Sequence, residues 1–425
     1  MSKAQKERSG GTMGREHREG LWEVSSYNFD KDIRADMNLP RKVTVMDTTL
    51  REGRQVEGVS IRPEDAIEVA RRLDDAGIPM VEMHHDYLEE IETVKKLGMR
   101  FEIQALVHPT AALNPEACRH EVDLFVDSGA DIVCLAFAVS DYNFGLYESM
   151  GGLKISREEA LEKAAEAVRY AKSRKAKVSC NMMDFSRVEL ERLLKIVKTL
   201  AEAGVDIIRI DDICAPCIPA VCKHHIKAVK QVIPNTTIAM HTHDDFGLAT
   251  ALQLAALEGG AEILEGAVNG LGERAGIPNL AELVAILEIL YGYDTGIHME
   301  KLKSLSDFVA DVYNQPIPPM LTAVGERSFS HAAEVHYVLP EGDRWSFNAW
   351  APEVVGNRAY VALCQYSGPK AIQRKARELD LGKITDAVAA EVLDKVRSEL
   401  RFRKQKLSDD LFKEMVRSAS ARKGK

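Results

Sequence analysis

The chain has 425 residues, enough to bury a sizeable core and to hold more than one folded unit. Its 45% hydrophobic and 28% charged residues are those of an ordinary globular protein, and a net charge of −9 argues against a nucleic-acid partner. No apolar run approaches the roughly 18 residues that a membrane span needs, the N-terminus lacks a signal peptide's apolar core, and seven cysteines at this length form no disulfide framework, so a reducing, cytoplasmic setting is expected.

Residues 1 to about 20 are polar and glycine-rich and read as a mobile arm within an N-terminal extension, 1–40. From Lys42 the texture changes. Eight apolar, β-branched runs predict strands at 43–47, 80–83, 101–107, 131–138, 177–181, 206–211, 237–242 and 263–268. Amphipathic helical stretches lie between them; RPEDAIEVARRLDDAG, for example, puts Pro63 in a first turn and Ile67, Ala70 and Leu73 on one face. A local signature recurs as DDAGIP, DSGADI, EAGVDI and EGGAEI, with Gly77, Gly129, Gly204 and Gly260 placed to end helices in the left-handed conformation. This alternation predicts an α/β protein with a (β/α)8 TIM barrel over 41–293. An open doubly wound sheet is the rival, but no glycine-rich dinucleotide fingerprint follows the first strand. After about residue 293 the pattern breaks, and 294–425 reads as small mixed and helical accessory subdomains.

In a barrel, chemistry sits at the C-terminal ends of the strands. Strand one ends in Asp47-Thr48-Thr49-Leu50-Arg51-Glu52-Gly53, and strand seven in His241-Thr242-His243. Two histidines at i and i+2 on extended backbone point the same way and can share one ion. A carboxylate from strand one can complete a set of two histidines and one carboxylate that leaves positions open for substrate. Buried, hydrogen-bonded histidines are the bland alternative. Cys214, Cys217 and Cys222 with His224 and His225 match no strong zinc spacing.

DTTLREG, HTHDDFGLATA and NGLGERAG, in this order, resemble the DRE-TIM metallolyase superfamily, and within it the Claisen-condensing synthases of the 2-isopropylmalate and homocitrate type. The resemblance covers roughly residues 40–293. It extends through GERSFSHAAEVHYVL, with histidines spaced five apart, and VVGNRAYVALCQYSG. Glu273-Arg274 stands where the family's lyases carry a loop cysteine. The resemblance implies one divalent metal ion (Zn, Mn, Mg, Co or Fe) on Glu52, His241 and His243. It implies charge stabilisation by Arg51, and proton exchange by His336 reaching a partner subunit's barrel in a homodimer. Ile277 replaces an asparagine that many relatives use as a further ligand. The substrates implied are an acyl-CoA, acetyl-CoA first, and a 2-oxo acid. The regulatory domain of feedback-inhibited isopropylmalate synthases is not expected in these residues.

Departures are equally informative. Phe347 stands where the synthases pair a tyrosine with the histidine, leaving Tyr337 or Tyr360 as substitutes. Ile213 replaces the threonine that would bind the acceptor's carboxylate, and Met83-His84-His85-Asp86 replaces a small-residue segment. His84, His85, Gln55, Ile213 and Glu273 are therefore expected around the substrate. Glu82 is expected to face inward, bonded to Arg51 or a metal-bound water, and His108 could face the pocket or lie in a loop. A carbon–carbon lyase or aldolase, and a non-catalytic metal-bound barrel, remain the alternatives.

Overall fold

The structure, a computed structural model, describes residues 17–338 and 344–423. The chain divides into two compact units, Tyr27–Ile317 and a second made of Met1–Ser26 with Pro318–Lys425.

The larger unit is a closed barrel of eight parallel strands in chain order: β1 (Thr44–Asp47), β2 (Met80–Met83), β3 (Glu102–Val107), β4 (Ile132–Ala138), β5 (Lys177–Met183), β6 (Ile207–Asp212), β7 (Thr237–Thr242) and β8 (Ile263–Gly266). β8 closes on β1 with Ile263 opposite Thr44 and Gly266 opposite Asp47. Each predicted strand is present within a residue or two. The strands are covered on the outside and filled within, which is why β4, IVCLAFA, is buried along its whole length.

The helices begin and end where local chemistry dictates. α1 (Pro63–Asp75) starts on Pro63 and buries Val69, Ala70 and Leu73. α2 (Pro115–Ser128) is capped by the Asn114 side chain, which accepts from the amides of Glu116 and Ala117. Gly77, Gly129, Gly204 and Gly260 all have positive φ, between 77° and 115°. At Gly260 an added Cβ would also fall 2.7 Å from the Asn38 side chain, so no other residue fits there without displacement.

The interior is layered, and the layering follows from the two-residue period of a strand. Met46, Met80, Ile132, Ile207, Ala239 and Ile263 form an apolar plug. Two residues further along β2, β6, β7 and β8 stand Glu82, Arg209, His241 and Glu265, all buried. Thus the lumen turns from apolar to ionic within one layer on the way to the mouth.

The barrel unit runs past residue 293. Helix α3 (Leu302–Tyr313) packs on the barrel wall: the Asn269 amide donates to the Ser306 carbonyl at 3.0 Å, and the Tyr313 hydroxyl to the Thr49 carbonyl at 2.9 Å.

In the second unit, a two-stranded pairing of His17–Arg18 with Trp22–Glu23 occupies the end of the expected mobile arm, whose residues 1–16 lie outside those described. Helices α4 (Pro369–Glu378), α5 (Asp386–Arg403) and α6 (Asp409–Lys423) share an apolar core that includes Ile372, Val392, Val396, Phe412 and Val416. Among the described residues no helix is long and apolar enough to cross a membrane.

Candidate active site

The barrel mouth brings Glu52, His241 and His243 together. One potential ligand atom from each lies within 4.8 Å of the others, and all three side chains are buried. Glu52 begins a short 3-10 turn, Glu52–Gln55, and its amide donates to the Thr48 carbonyl at 2.7 Å, which fixes the carboxylate over the lumen. His241 ends the ionic layer on β7, and His243 follows one strand period later.

The donor set carries the marks of a cation site. Glu52 Oε1 touches the Arg51 guanidinium and lies 3.6 Å from His241 Nε2. Glu52 Oε2 and His243 Nδ1 are buried without a hydrogen-bond partner. Each such orphan costs about 1–3 kcal/mol, and a divalent ion on this carboxylate–imidazole set removes the penalty. These residues therefore fit a metal of the kind the motifs imply.

Beneath the triad lies a network that the sequence reading did not find. Glu265 Oε2 accepts from His241 Nδ1 at 2.8 Å. Arg209 Nη2 also lies 3.2 Å from Nδ1, but the Glu265 carboxylate is the nearer group and can only accept, so the proton is assigned to Nδ1 and Nε2 keeps a lone pair toward Glu52. Arg209, 1% exposed, donates its Nε to Glu265 Oε1 at 2.7 Å and its two terminal nitrogens to Glu82 at 3.1 and 3.0 Å. The available signal was a charged residue inside an apolar strand run, Arg209 in DIIRID and Glu265 in ILEGAV. In a barrel strand such a residue must face the lumen and be paired.

Protonation follows from this geometry. Burial, aided by Arg209 and Arg51, holds the His241 imidazole well below its ordinary range, and burial with His241 and Arg274 pushes His243 down to about 3. Both rings are neutral at physiological pH, as ligands must be. Burial raises Asp47 and Asp211 to about 7, although Arg209 opposes the rise at Asp211.

The remaining expected residues divide. His84 and His85 follow β2 at the mouth as stacked rings, centroids 4.4 Å apart, and His85 Nδ1 is buried without a partner. Burial lowers His84 to about 4 and lowers His85 as well. The expected bond from Glu82 to Arg51 is corrected: Glu82 is committed to Arg209 and to the Gln104 amide at 3.1 Å, because Arg209 is the cation that shares its layer. His108 caps a short helix, with Nδ1 2.9 Å from the Thr110 hydroxyl, and burial together with the charges of His85 and Arg51 lowers its pKa, so it stands in a loop beside the mouth residues. Gln55 is exposed, Glu273 pairs with Arg274 at 3.2 Å, and the Ile213 carbonyl accepts from Arg274. In the second unit the His336 ring lies against Phe347, centroids 4.2 Å apart, so the expected pairing position is occupied by a ring with no hydroxyl. Tyr360 lines the same cleft as His336; the Tyr337 side chain lies outside those described.

A family model described as HMGL-like matches residues 42–309, more than half of the chain and nearly all of the barrel unit. The chain belongs to the HMGL-like family. It is 32% identical over 395 residues to homocitrate synthase AksA of Methanopyrus kandleri, covering 92% of this chain and 95% of that one. It is 34% identical to 2-isopropylmalate synthase of Methanocaldococcus jannaschii, covering 81% of this chain and 65% of that one. A homocitrate synthase of Saccharolobus islandicus is 31% identical, over 85% and 77%. These HMGL-like relatives bear out the Claisen-condensing branch of the DRE-TIM resemblance. Among solved structures, HMG-CoA lyase from Brucella melitensis superposes with a TM-score of 0.56 at 18% identity, over 65% of this chain and all of that one. The carboxyl transferase domain of Rhizobium etli pyruvate carboxylase gives 0.51 at 18%, over 91% and 62%. These two likenesses establish the barrel fold.

Proposed function

We propose that the chain is a metal-dependent acyltransferase that joins an acyl-CoA, acetyl-CoA first, to a 2-oxo acid and hydrolyses the thioester. The observation that carries this reading is the buried Glu52–His241–His243 set with unpartnered ligand atoms, in a chain related along most of its length to condensing synthases. A divalent ion held by these three residues supplies Lewis-acid polarisation of the acceptor carbonyl.

The chain's own groups account for the rest. Removing an α-proton from a thioester puts charge on its oxygen, which fixed positive charge must meet in a water-poor site. Arg51, beside Glu52, is the group placed to meet it. The acyl α-carbon then bonds to the 2-oxo carbon, whose oxygen takes the electron pair and a proton. Water cleaves the thioester and CoA leaves as its thiol. His336 is the proton-exchange group in this reading, delivered by the accessory unit of a second subunit, and Tyr360 stands in for the hydroxyl that Phe347 lacks. Glu82 serves through Arg209, by fixing the layer on which His241 rests.

The acceptor differs from that of the isopropylmalate synthases. Ile213 supplies no hydroxyl for a carboxylate, whereas His84 and His85 add donors at the mouth, with Gln55 and Glu273 at the rim. The test is a thiol-release screen of acyl-CoAs against 2-oxo acids, with products identified by mass. CoA release matched by a new carbon–carbon product supports condensation. Cleavage of hydroxyacyl substrates without thiol release supports the lyase, and metal binding without any turnover supports the non-catalytic barrel.

A further inference from the structure

The flank of the barrel unit holds a cavity of about 100 Å³ that the chemistry above does not use. Its position follows from the sequence. Ile132 faces the apolar plug, so the two-residue period of β4 turns Phe137 to the outside of the barrel. The helices Arg157–Ser173 and Leu190–Glu202 line that side. The first presents Ala160 and Ala164, one turn apart, and these small side chains leave the space open. Its apolar wall includes Leu113, Phe137, Val139, Phe144, Leu161 and Ile196. An apolar cavity of roughly 150 Å³ holds benzene, so by proportion this one takes a branched chain of roughly four carbons.

The lining is cationic where it is not apolar. Arg157 and Arg192 share a single carboxylate, that of Asp141, which Arg192 reaches through Nη1 at 3.0 Å. Three cations, Arg157, Arg192 and Lys195, thus face two carboxylates, Asp141 and Glu158, which leaves one positive charge. Arg192 Nε is buried and has no hydrogen-bond partner. A buried N–H on a cation calls for an anionic acceptor. The Arg157 guanidinium lies 4.3 Å from the Phe144 ring centroid, so the charge adjoins the apolar wall. The Arg157 and Arg192 side chains are 34% and 26% exposed, so the cavity opens to solvent on their side. None of these residues belongs to the metal set or to the groups assigned to substrate.

We propose that this cavity binds a small apolar monocarboxylate, its branched chain in the space beside Ala160 and Ala164 and its carboxylate on Arg192 Nε. The carboxylate supplies the acceptor that Nε lacks and balances the spare positive charge. The chain leaves water for an apolar wall of matching size. The inference does not rest on the reaction proposed above, and its test needs no turnover.

The probe is isovalerate, with isovaleramide as its neutral isostere. Both are titrated by calorimetry into the chelator-treated full chain, so that a metal ion at the barrel mouth cannot supply the carboxylate site. The parent is compared with Arg192→Gln, which leaves Arg157 on Asp141, and with Ala164→Leu, which fills the cavity. Hydrogen exchange on the parent locates the ligand without any substitution. The expected result is isovalerate binding to the parent about tenfold or more tighter than isovaleramide. That preference should vanish in Arg192→Gln, and Ala164→Leu should weaken both ligands. In the parent, isovalerate should slow exchange over residues 139–147 and 157–164. Equal affinity for acid and amide in the parent, or a preference that survives in Arg192→Gln, overturns the carboxylate assignment. No saturable isovalerate binding, or protection confined to other segments, overturns the site. Should Ala164→Leu fail to fold, the exchange pattern of the parent decides the location.

Discussion

Glu265→Gln isolates the role of the ionic layer beneath the candidate metal site. Glu265 now accepts with both oxygens, Oε1 from Arg209 Nε at 2.7 Å, and Oε2 from His241 Nδ1 at 2.8 Å and from Arg209 Nη2 at 2.5 Å. Glutamine keeps the shape but offers one acceptor. If that oxygen takes the Oε1 place against Arg209 Nε, the amide nitrogen takes the Oε2 place between Arg209 Nη2 and His241 Nδ1, and of these only Nδ1 can accept from it. The imidazole proton then moves to Nε2, the nitrogen facing Glu52 at 3.6 Å, and the lone pair needed by a metal is lost. Losing an outer partner of this kind costs about 10–100-fold in metal affinity, or about 1.4–2.7 kcal/mol. The assay is competition with a fluorescent chelator for Zn or Mn, run on the parent, Glu265→Gln and Glu82→Gln. The Glu82 variant removes a charge from the same arginine without touching His241, so its affinity should change less. Metal affinity in Glu265→Gln within about twofold of the parent, or a larger loss in Glu82→Gln, would refute the tautomer argument.

Other outcomes follow from the same geometry. His84→Ala and His85→Ala should each lower kcat/KM for the acceptor about tenfold, since a hydrogen bond to a charged group is worth about 1.5–3 kcal/mol; parental kinetics in both would remove these rings from the pocket. Asp47 is held near 7 by burial against an ordinary 3.8, so the folded state binds its proton more tightly and stability is fully present below about pH 4 and lost as pH rises toward 7. Denaturant titrations across that window should show a shallower decline for Asp47→Asn, and an unchanged slope would count against the shift. A chain ending at Ile317, the boundary of the barrel unit, should keep its metal and lose turnover, and the full chain should sediment as a dimer; a fully active truncated monomer would remove the need for His336.

The barrel was legible because its signals are local. Each strand is a short β-branched run, and each repeated glycine turn marks a helix end, as the positive φ of Gly129 and Gly260 records. The triad was legible because His241 and His243 share one strand end and Glu52 sits in a recognisable motif. Arg209 was not, because its partners are 127 and 56 residues away in sequence and only the closed barrel makes them neighbours. The same reason misdirected Glu82, whose nearest motif arginine, Arg51, is not the one that shares its layer. The run of the barrel unit beyond residue 293 rests on the packing of Asn269 and Tyr313, which periodicity does not encode.

The central claim, condensation dependent on the Glu52–His241–His243 set, is tested most directly by CoA release from acetyl-CoA and a panel of 2-oxo acids. The measurement compares chelator-treated protein, the same protein reloaded with a divalent ion, and a reloaded His241→Ala/His243→Ala variant. The account predicts CoA release equal to the carbon–carbon product in the reloaded parent, and none above background in the other two. Equal turnover in the chelated protein or in the double variant would contradict it.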